Sequence, residues 1–278
     1  NRGALSEVAA SGPFAHRSQG RGGHDRVRSG SVTIVAAASE FVPPPTTGRT
    51  FVSERSVRLG EVDDRARLRL DATARFLQDV ATDDTASTDL EHDEDAWGSS
   101  WVVRRTLVDV RQAARLDERI ELATFCSGTG RGWAERRTSI SGEHGASIET
   151  VSLWIRIDPA SGRPIRLSDR FHEIYGPTAG DRRVSSRLQL PPPPEHADRR
   201  TWAIRRVDLD PLRHVNNAVH WSIVEETLPE GSRRGRGEIE YLAPIEPDAD
   251  LALVVDGASS WLVAGDRVLT AARWTPTS

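Results

Sequence analysis

One short segment of the chain brings together residue types that can attack a carbonyl group. Its polar side chains are an acid, a histidine and two asparagines: Asp210, His214, Asn216 and Asn217. Pro211 predicts a turn, and the apolar positions after it recur every four residues until Pro229. The segment is therefore expected at a helix N-terminus, where free N–H groups favour negative charge. There, a carboxylate could activate water or attack directly while the N–H groups hold the developing oxyanion.

The same segment has a second interpretation that involves no chemistry. Asp and Asn are preferred at helix starts because their side chains bond to backbone N–H groups. An ordinary capped helix start would therefore use these residue types in this order, and the residues alone leave both interpretations open.

The segment resembles the active-site motif of hotdog-fold thioesterases, D-x-x-G-H-V-N-N-x-x-Y, and the related motif of the acyl-ACP thioesterase family, D-x-N-x-H-V-N-N. Three positions depart from these motifs. Arg213 stands in place of the glycine, Leu212 in place of the family's asparagine, and His220 in place of the aromatic residue.

A second family feature is missing. Many relatives carry a Glu-Cys pair shortly after a Glu-Tyr sequence that begins a strand. Here that sequence is Glu240-Tyr241, and Pro244 and Ile245 occupy the positions of the pair. Either Glu246 substitutes from a shifted position, or this branch works with the acid and the histidine of the motif alone.

The resemblance implies roles for the residues of the motif. Asp210 would be the general base or the nucleophile. His214 and the backbone N–H groups of Val215 and Asn216 would bind the thioester carbonyl and its oxyanion, and Asn216 or Asn217 would orient the carboxylate or water. The resemblance implies no metal and no organic cofactor.

The order of the predicted elements indicates an α+β fold. A helix is followed by consecutive strands at 101–110, 119–127, 133–141 and 147–157, and a similar order recurs after a proline-rich stretch at 191–194. The resemblance implies two tandem hotdog repeats, each a long helix wrapped by an antiparallel sheet. The predicted organisation is a disordered N-terminal extension at 1–50, a first repeat at 51–176, a linker at 177–199 and a second repeat with the catalytic motif at 200–278.

The helix of the first repeat carries two polar residues of uncertain orientation. It is expected to begin near a cap at Asp71, and its apolar positions follow helical spacing. Gln78 and Asp79 either reach an acyl tunnel or belong to a solvated face, and the solvated face is favoured. The segment from Phe171 to Arg187 is interpreted as a connector.

Composition restricts the class of protein. No apolar run approaches the roughly 20 residues of a membrane span, and a net charge of −4 does not indicate nucleic-acid binding. All 37 basic residues are arginine, so no lysine can form a Schiff base. The single cysteine, Cys126, excludes an intramolecular disulfide, and the cytoplasm is the expected compartment.

The resemblance predicts hydrolysis of a fatty-acyl thioester of acyl carrier protein or CoA. Because the carrier protein is acidic, a basic rim should surround the site, and Arg205, Arg206 and Arg213 are the candidates. The alternatives are a non-catalytic acyl-thioester-binding protein and a hotdog enoyl hydratase or dehydratase. A homodimer of tandem chains is a further expectation.

Overall fold

The computed structural model describes residues 41–88, 90, 100–228 and 234–277. Residues 1–40 of the predicted N-terminal extension lie outside this part of the chain. No helix in the described part is long and apolar enough to cross a membrane.

The first repeat contains five strands and two helices. They are β1 (Phe51–Ser56), α1 (Leu70–Ala86), β2 (Ser100–Gln112), β3 (Arg119–Thr129), β4 (Trp133–Gly142), β5 (Ser147–Ile157) and α2 (Asp169–Ala179). The four predicted strands after the helix are confirmed to within two residues at each end.

The second repeat contains five strands and one short helix. They are β6 (Asp198–Trp202), α3 (Ser222–Glu225), β7 (Gly235–Tyr241), β8 (Leu251–Asp256), β9 (Ser259–Ala264) and β10 (Arg267–Pro276). A single 3-10 turn, Val219–Trp221, precedes α3.

All ten strands form one antiparallel sheet. Their order is β1-β3-β4-β5-β2-β7-β10-β9-β8-β6, so the two repeats meet where β2 pairs with β7. One apolar cluster extends across this junction and contains residues of both repeats, among them Phe76, Leu77, Trp221, Ile223, Ile239 and Leu253. The junction places the start of the second helix beside α1, so residues of the two repeats can line one site.

Helix α1 has the predicted amphipathic pattern, but it starts earlier than predicted. It begins at Leu70, and Asp71 lies in the first turn, where it accepts a hydrogen bond from Arg69. Phe76 and Val80 are buried, and the Arg55 guanidinium lies 3.6 Å from the centre of the Phe76 ring. Asp79 is exposed as predicted.

The prediction of a long helix in the second repeat is wrong. After the motif loop, only Val219–Glu225 is helical among the residues that the structure describes, against 17 residues in α1. The hydroxyls of Ser222 and Thr227 donate to backbone carbonyls of this segment, and Pro229 disfavours helix at the residue before it.

The predicted connector contains a helix, α2. The Ser168 side chain caps it by accepting a hydrogen bond from the Phe171 N–H. The ring of Phe171 packs 5.5 Å from Trp101 and 4.9 Å from Tyr175, between ring centres. This aromatic cluster closes one end of the first repeat.

Residues 41–50 do not behave as a free tail. The Phe41 ring lies 5.1 Å from the Arg137 guanidinium and 5.2 Å from that of Arg236, and Arg137 donates to the Val42 carbonyl. Arg49 pairs with the buried Asp84 at 2.7 Å. For these ten residues the prediction of a disordered extension is wrong.

Candidate active site

The motif folds into a compact loop before the second helix. A 3-10 turn, Arg206–Asp208, leads into it, and Leu209 and Val215 pair as an antiparallel bridge across its base. The buried Asp208 carboxylate accepts hydrogen bonds from the Arg205 N–H and the Arg205 guanidinium, which raises the pKa of Arg205. Arg205 therefore holds this turn in place.

The Asp210 side chain stabilises the loop by accepting hydrogen bonds from two backbone N–H groups of the loop. Its Oδ1 accepts the N–H groups of Leu212 at 2.9 Å and His214 at 3.2 Å. Arg213 adopts a left-handed conformation with φ of 63°, which explains why the related motif has glycine there. The Leu212 side chain is 71% exposed and points into solvent rather than into the core.

His214 faces an acid from a distant segment. Its Nε2 lies 3.3 Å from Oε1 of Glu246, and the two side chains are 35% and 59% exposed. Glu246 thus contacts the histidine from its shifted position. The pair lies at the surface, accessible to substrate and water.

The N–H groups expected to bind the oxyanion are already occupied. Val215 donates to the Ile245 carbonyl at 2.9 Å, and Asn216 donates to the Asp208 carbonyl at 2.8 Å. The prediction for these two groups is therefore wrong, because both bonds build the loop. Within the described part of the chain, the N–H of Asn217 has no acceptor and is the donor available at the helix start.

The two asparagines take part in different hydrogen bonds, Asn216 through its side chain and Asn217 through its backbone carbonyl. The Asn216 Oδ1 accepts the Ala218 N–H at 2.9 Å and so caps the helix. The Asn217 carbonyl accepts a hydrogen bond from the Tyr241 hydroxyl at 3.2 Å, and Tyr241 accepts one from the Trp221 indole. These bonds fix the Asn217 peptide.

A buried histidine supports this arrangement. His220 is 2% exposed, its Nδ1 lies 2.7 Å from the Thr270 hydroxyl, and its ring packs against Tyr241. Burial lowers its pKa from 6.5 to about 4, so the ring is neutral near pH 7.

The first repeat contains the same loop before α1. Asp63 Oδ1 accepts the N–H groups of Arg65 at 2.9 Å and Arg67 at 2.8 Å, and Ala66 has a φ of 59°. A bridge joins Val62 to Leu68. The equivalent positions are Asp63 for Asp210, Ala66 for Arg213, Arg67 for His214, Arg69 for Asn216 and Leu70 for Asn217.

The equivalence extends to the segment opposite each loop. Leu68 donates to the Ala114 carbonyl as Val215 donates to that of Ile245, so Arg115 stands where Glu246 stands. The Leu70 N–H, equivalent to that of Asn217, donates to the Glu225 carboxylate. The first loop therefore lacks the histidine, the acid and the open amide.

Two cavities lie along α1, and the smaller one reaches the second loop. The small one, about 10 Å³, is lined by Gln78 and Asn217 from the two repeats and by Tyr241 and Trp154. The solvated-face prediction for Gln78 is wrong, because this side chain is half-buried beside the loop. The larger cavity, about 220 Å³, shares Trp154 and lies beside Ala81 and Thr85.

The residues that line the larger cavity are not recognisable in the sequence. All except Leu90 come from α1, β2, β3, β4, β5 and α2, and each of these elements contributes only one to three side chains. No spacing pattern in the chain connects them. Among the described residues, no cluster of three or more His, Cys, Asp or Glu side chains could hold a metal ion.

Comparisons with known proteins agree with this architecture. The acyl-ACP thioesterase N-terminal domain model matches residues 48–175, and the C-terminal domain model matches residues 193–261. An uncharacterized protein of Mycobacterium tuberculosis is 29% identical over 239 residues, which cover 84% of this chain and 94% of that protein.

Solved structures show the same fold. The 12:0-ACP thioesterase from Umbellularia californica has a TM-score of 0.69 and 22% identity, covering 84% of this chain and all of that chain. A putative oleoyl thioesterase from Lactobacillus plantarum has a TM-score of 0.69 and 18% identity, covering 84% of this chain and 98% of that chain. The α+β fold of two hotdog repeats is thus confirmed, and the chain belongs to the acyl-ACP thioesterase family and is a thioester hydrolase.

Proposed function

We propose that the chain hydrolyses a fatty-acyl thioester of acyl carrier protein, with His214 and Glu246 as the reacting pair. The observation that carries this proposal is the 3.3 Å contact between His214 Nε2 and Glu246 Oε1, in the same loop as the open Asn217 amide. The first repeat has the same loop without any of these three groups, which supports their assignment to chemistry.

The proposed reaction uses histidine as the general base. A carboxylate at Nε2 favours the tautomer with its proton on that nitrogen, which leaves Nδ1 free to take a proton from water. The hydroxide adds to the thioester carbonyl carbon, and the oxyanion accepts the Asn217 N–H. The carbon–sulfur bond then breaks, and the leaving thiolate takes the proton from His214.

Asp210 has a different role in this proposal. Its Oδ1 already accepts two backbone N–H groups, as Asp63 does in the first loop. Asp210 is therefore a positioning residue that shapes the loop around His214. Asn216 acts in the same way, as the cap of the short helix.

The acyl chain is proposed to follow α1 into the first repeat. Gln78 and Asn217 line the small cavity, and Trp154 lies in the walls of both cavities. The thioester carbonyl would lie beside Asn217, and the hydrocarbon would extend toward Tyr175.

The carrier is proposed to dock on the exposed arginines beside the loop. Arg206 and Arg213 form no ion pair among the described residues, whereas Arg205 is paired with Asp208. We expect Arg206→Glu to weaken turnover of acyl-ACP more than of acyl-CoA, and Arg65→Glu in the first loop to affect neither. Equal losses on both substrates would contradict a docking role.

Steady-state hydrolysis of acyl-ACP and acyl-CoA substrates tests the proposed function. Release of free thiol by the wild type, abolished in His214→Ala, is the expected result. Formation of a hydroxyacyl thioester would instead indicate a hydratase. Acyl ligands that bind without any turnover would indicate a non-catalytic binding protein.

A further inference from the structure

The larger cavity contains polar groups that a plain hydrocarbon chain would not need. Aromatic rings form much of its wall, contributed by Trp101, Trp154, Phe171 and Tyr175. Arg136, however, also lines it, and its guanidinium carbon lies 5.6 Å from the centre of the Tyr175 ring.

Two hydrogen-bonding groups on this wall are buried without a partner. The Tyr175 hydroxyl and the Trp154 indole N–H make no hydrogen bond of good geometry to any residue in the described ranges, although Thr85 and Arg136 lie close enough to the Tyr175 hydroxyl to oppose the rise that burial causes in its pKa. Tyr175 is only 1% exposed. A buried unsatisfied polar group is unfavourable and native proteins contain few, so a water or ligand oxygen in the cavity would stabilise these groups.

The surrounding charges favour an acceptor oxygen. Arg49 and Arg136 share the Asp84 carboxylate at 2.7 Å each, and the Glu135 carboxylate in the cavity wall is paired with Arg182, so three guanidinium groups face two carboxylates. Burial raises the pKa of Tyr175, and the neighbouring Arg136 opposes this only in part, so the hydroxyl keeps its proton and can donate. The indole N–H can only donate.

The position of the larger cavity along α1 predicts where on the acyl chain the acceptor oxygen lies. The small cavity contacts α1 at Ala74–Gln78, and the larger one contacts it at Ala81–Thr85. Seven residues of helix span about 10 Å. An extended chain covers about 1.2 Å per bond, so the larger cavity begins about eight bonds from the thioester.

We propose that the preferred acyl chain carries a hydroxyl or keto oxygen in its outer half, bound by the Tyr175 hydroxyl with the Trp154 indole beside it. This inference rests on the proposed function, because it assumes that the acyl chain follows α1. It names the substrate class of the site.

Paired substrates test the inference. One is a medium-chain acyl thioester, and the other carries a hydroxyl group about eight to ten carbons from the thioester. We expect wild-type kcat/KM to be about three- to tenfold higher for the hydroxylated chain, and Tyr175→Phe to remove this preference. Turnover of a short chain of about four carbons, which ends before the cavity, should be unchanged.

Thr82→Val is the matched control. It removes a hydroxyl from the same cavity, but that hydroxyl already donates to the Gln78 carbonyl. The preference for the hydroxylated chain should therefore persist in this variant. Trp154→Phe removes the indole N–H but keeps an aromatic ring in the cavity wall. It is a second test of the preference for the hydroxylated chain.

Binding of the two free fatty acids, with and without the hydroxyl group, tests the inference even if the protein hydrolyses neither thioester. Trp101 and Trp154 line the cavity, so their fluorescence should report binding. Tighter binding of the hydroxylated acid, lost in Tyr175→Phe, would support the inference even without turnover. Equal or tighter binding of the plain acid would overturn it and would mean that water alone partners Tyr175.

Discussion

The two loops before the helices have nearly the same backbone but different chemistry. In each, an aspartate accepts two N–H groups, a left-handed residue follows, and a short bridge closes the base. The first loop then presents Arg67 and Arg115, whereas the second presents His214 and Glu246. In both loops, therefore, the aspartate and the left-handed residue build the backbone, and the loops differ in the side chains that they present.

The helices that follow the two loops differ in length, and the longer helix belongs to the first repeat. Helix α1 continues to Ala86 and carries the larger cavity on its later turns, whereas α3 ends at Glu225. The Glu225 carboxylate accepts a hydrogen bond from the Leu70 N–H at the start of α1. In the proposed function, the first repeat supplies the space for the acyl chain and the second supplies the reacting groups.

Exchanging the residue at the histidine position between the two loops should have the largest effect on kcat. We expect His214→Arg, which gives the second loop the side chain of the first, to reduce kcat by about 10²- to 10⁴-fold because the general base is lost. Arg67→His, the reverse change, should leave kcat unchanged. Near-normal turnover in His214→Arg would exclude the histidine as base.

The buried histidine should make stability depend on pH in the second repeat. Its folded pKa of about 4 lies below the ordinary 6.5, so the unfolded chain binds more protons between these values. Stability should fall as pH decreases through this window, by about 3 kcal/mol in total.

Chemical denaturation at several pH values measures this dependence. His220→Gln should flatten the slope between pH 6.5 and 4, because glutamine does not titrate. The equivalent residue of α1 is Thr73, which cannot contribute. Parallel curves for the variant and the wild type would contradict the assignment.

Removing the acid beside His214 should have an intermediate effect. We expect Glu246→Gln to reduce kcat by about ten- to a hundredfold, because the tautomer and orientation of the histidine are no longer fixed. Arg115→Gln at the equivalent position is the control. If Glu246→Gln were fully active, the motif would work with Asp210 and His214 alone.

The two aspartates should have the smallest and most similar effects on stability. Asp63→Ala and Asp210→Ala each leave two backbone N–H groups without their carboxylate, at a cost of about 1–2 kcal/mol. Thermal unfolding measures this cost.

Asparagine variants separate the loop role from chemistry. Asn keeps an acceptor oxygen, so Asp210→Asn should retain stability and most activity. A stable Asp210→Asn variant without activity would show instead that the carboxylate takes part in the reaction.

The motif and the strand order were predictable because they depend on local spacing. The strand Ser147–Ile157 has the predicted bounds, and Asp210, His214 and the asparagines lie in one loop before a helix. The length of the second helix was not predictable from periodicity, because the fourfold spacing continues beyond the last helical residue.

The family, the α+β class and the position of the motif loop were predictable from the amino-acid sequence, because they follow from short-range patterns and motif residues. Which groups of the loop lack other hydrogen-bond partners depends on the folded chain. The loop's own folding occupies the N–H groups of Val215 and Asn216, whereas Glu246 and Gln78 come from distant segments. The sheet that joins β2 to β7 brings these segments together, and such long-range pairing leaves no mark in local spacing.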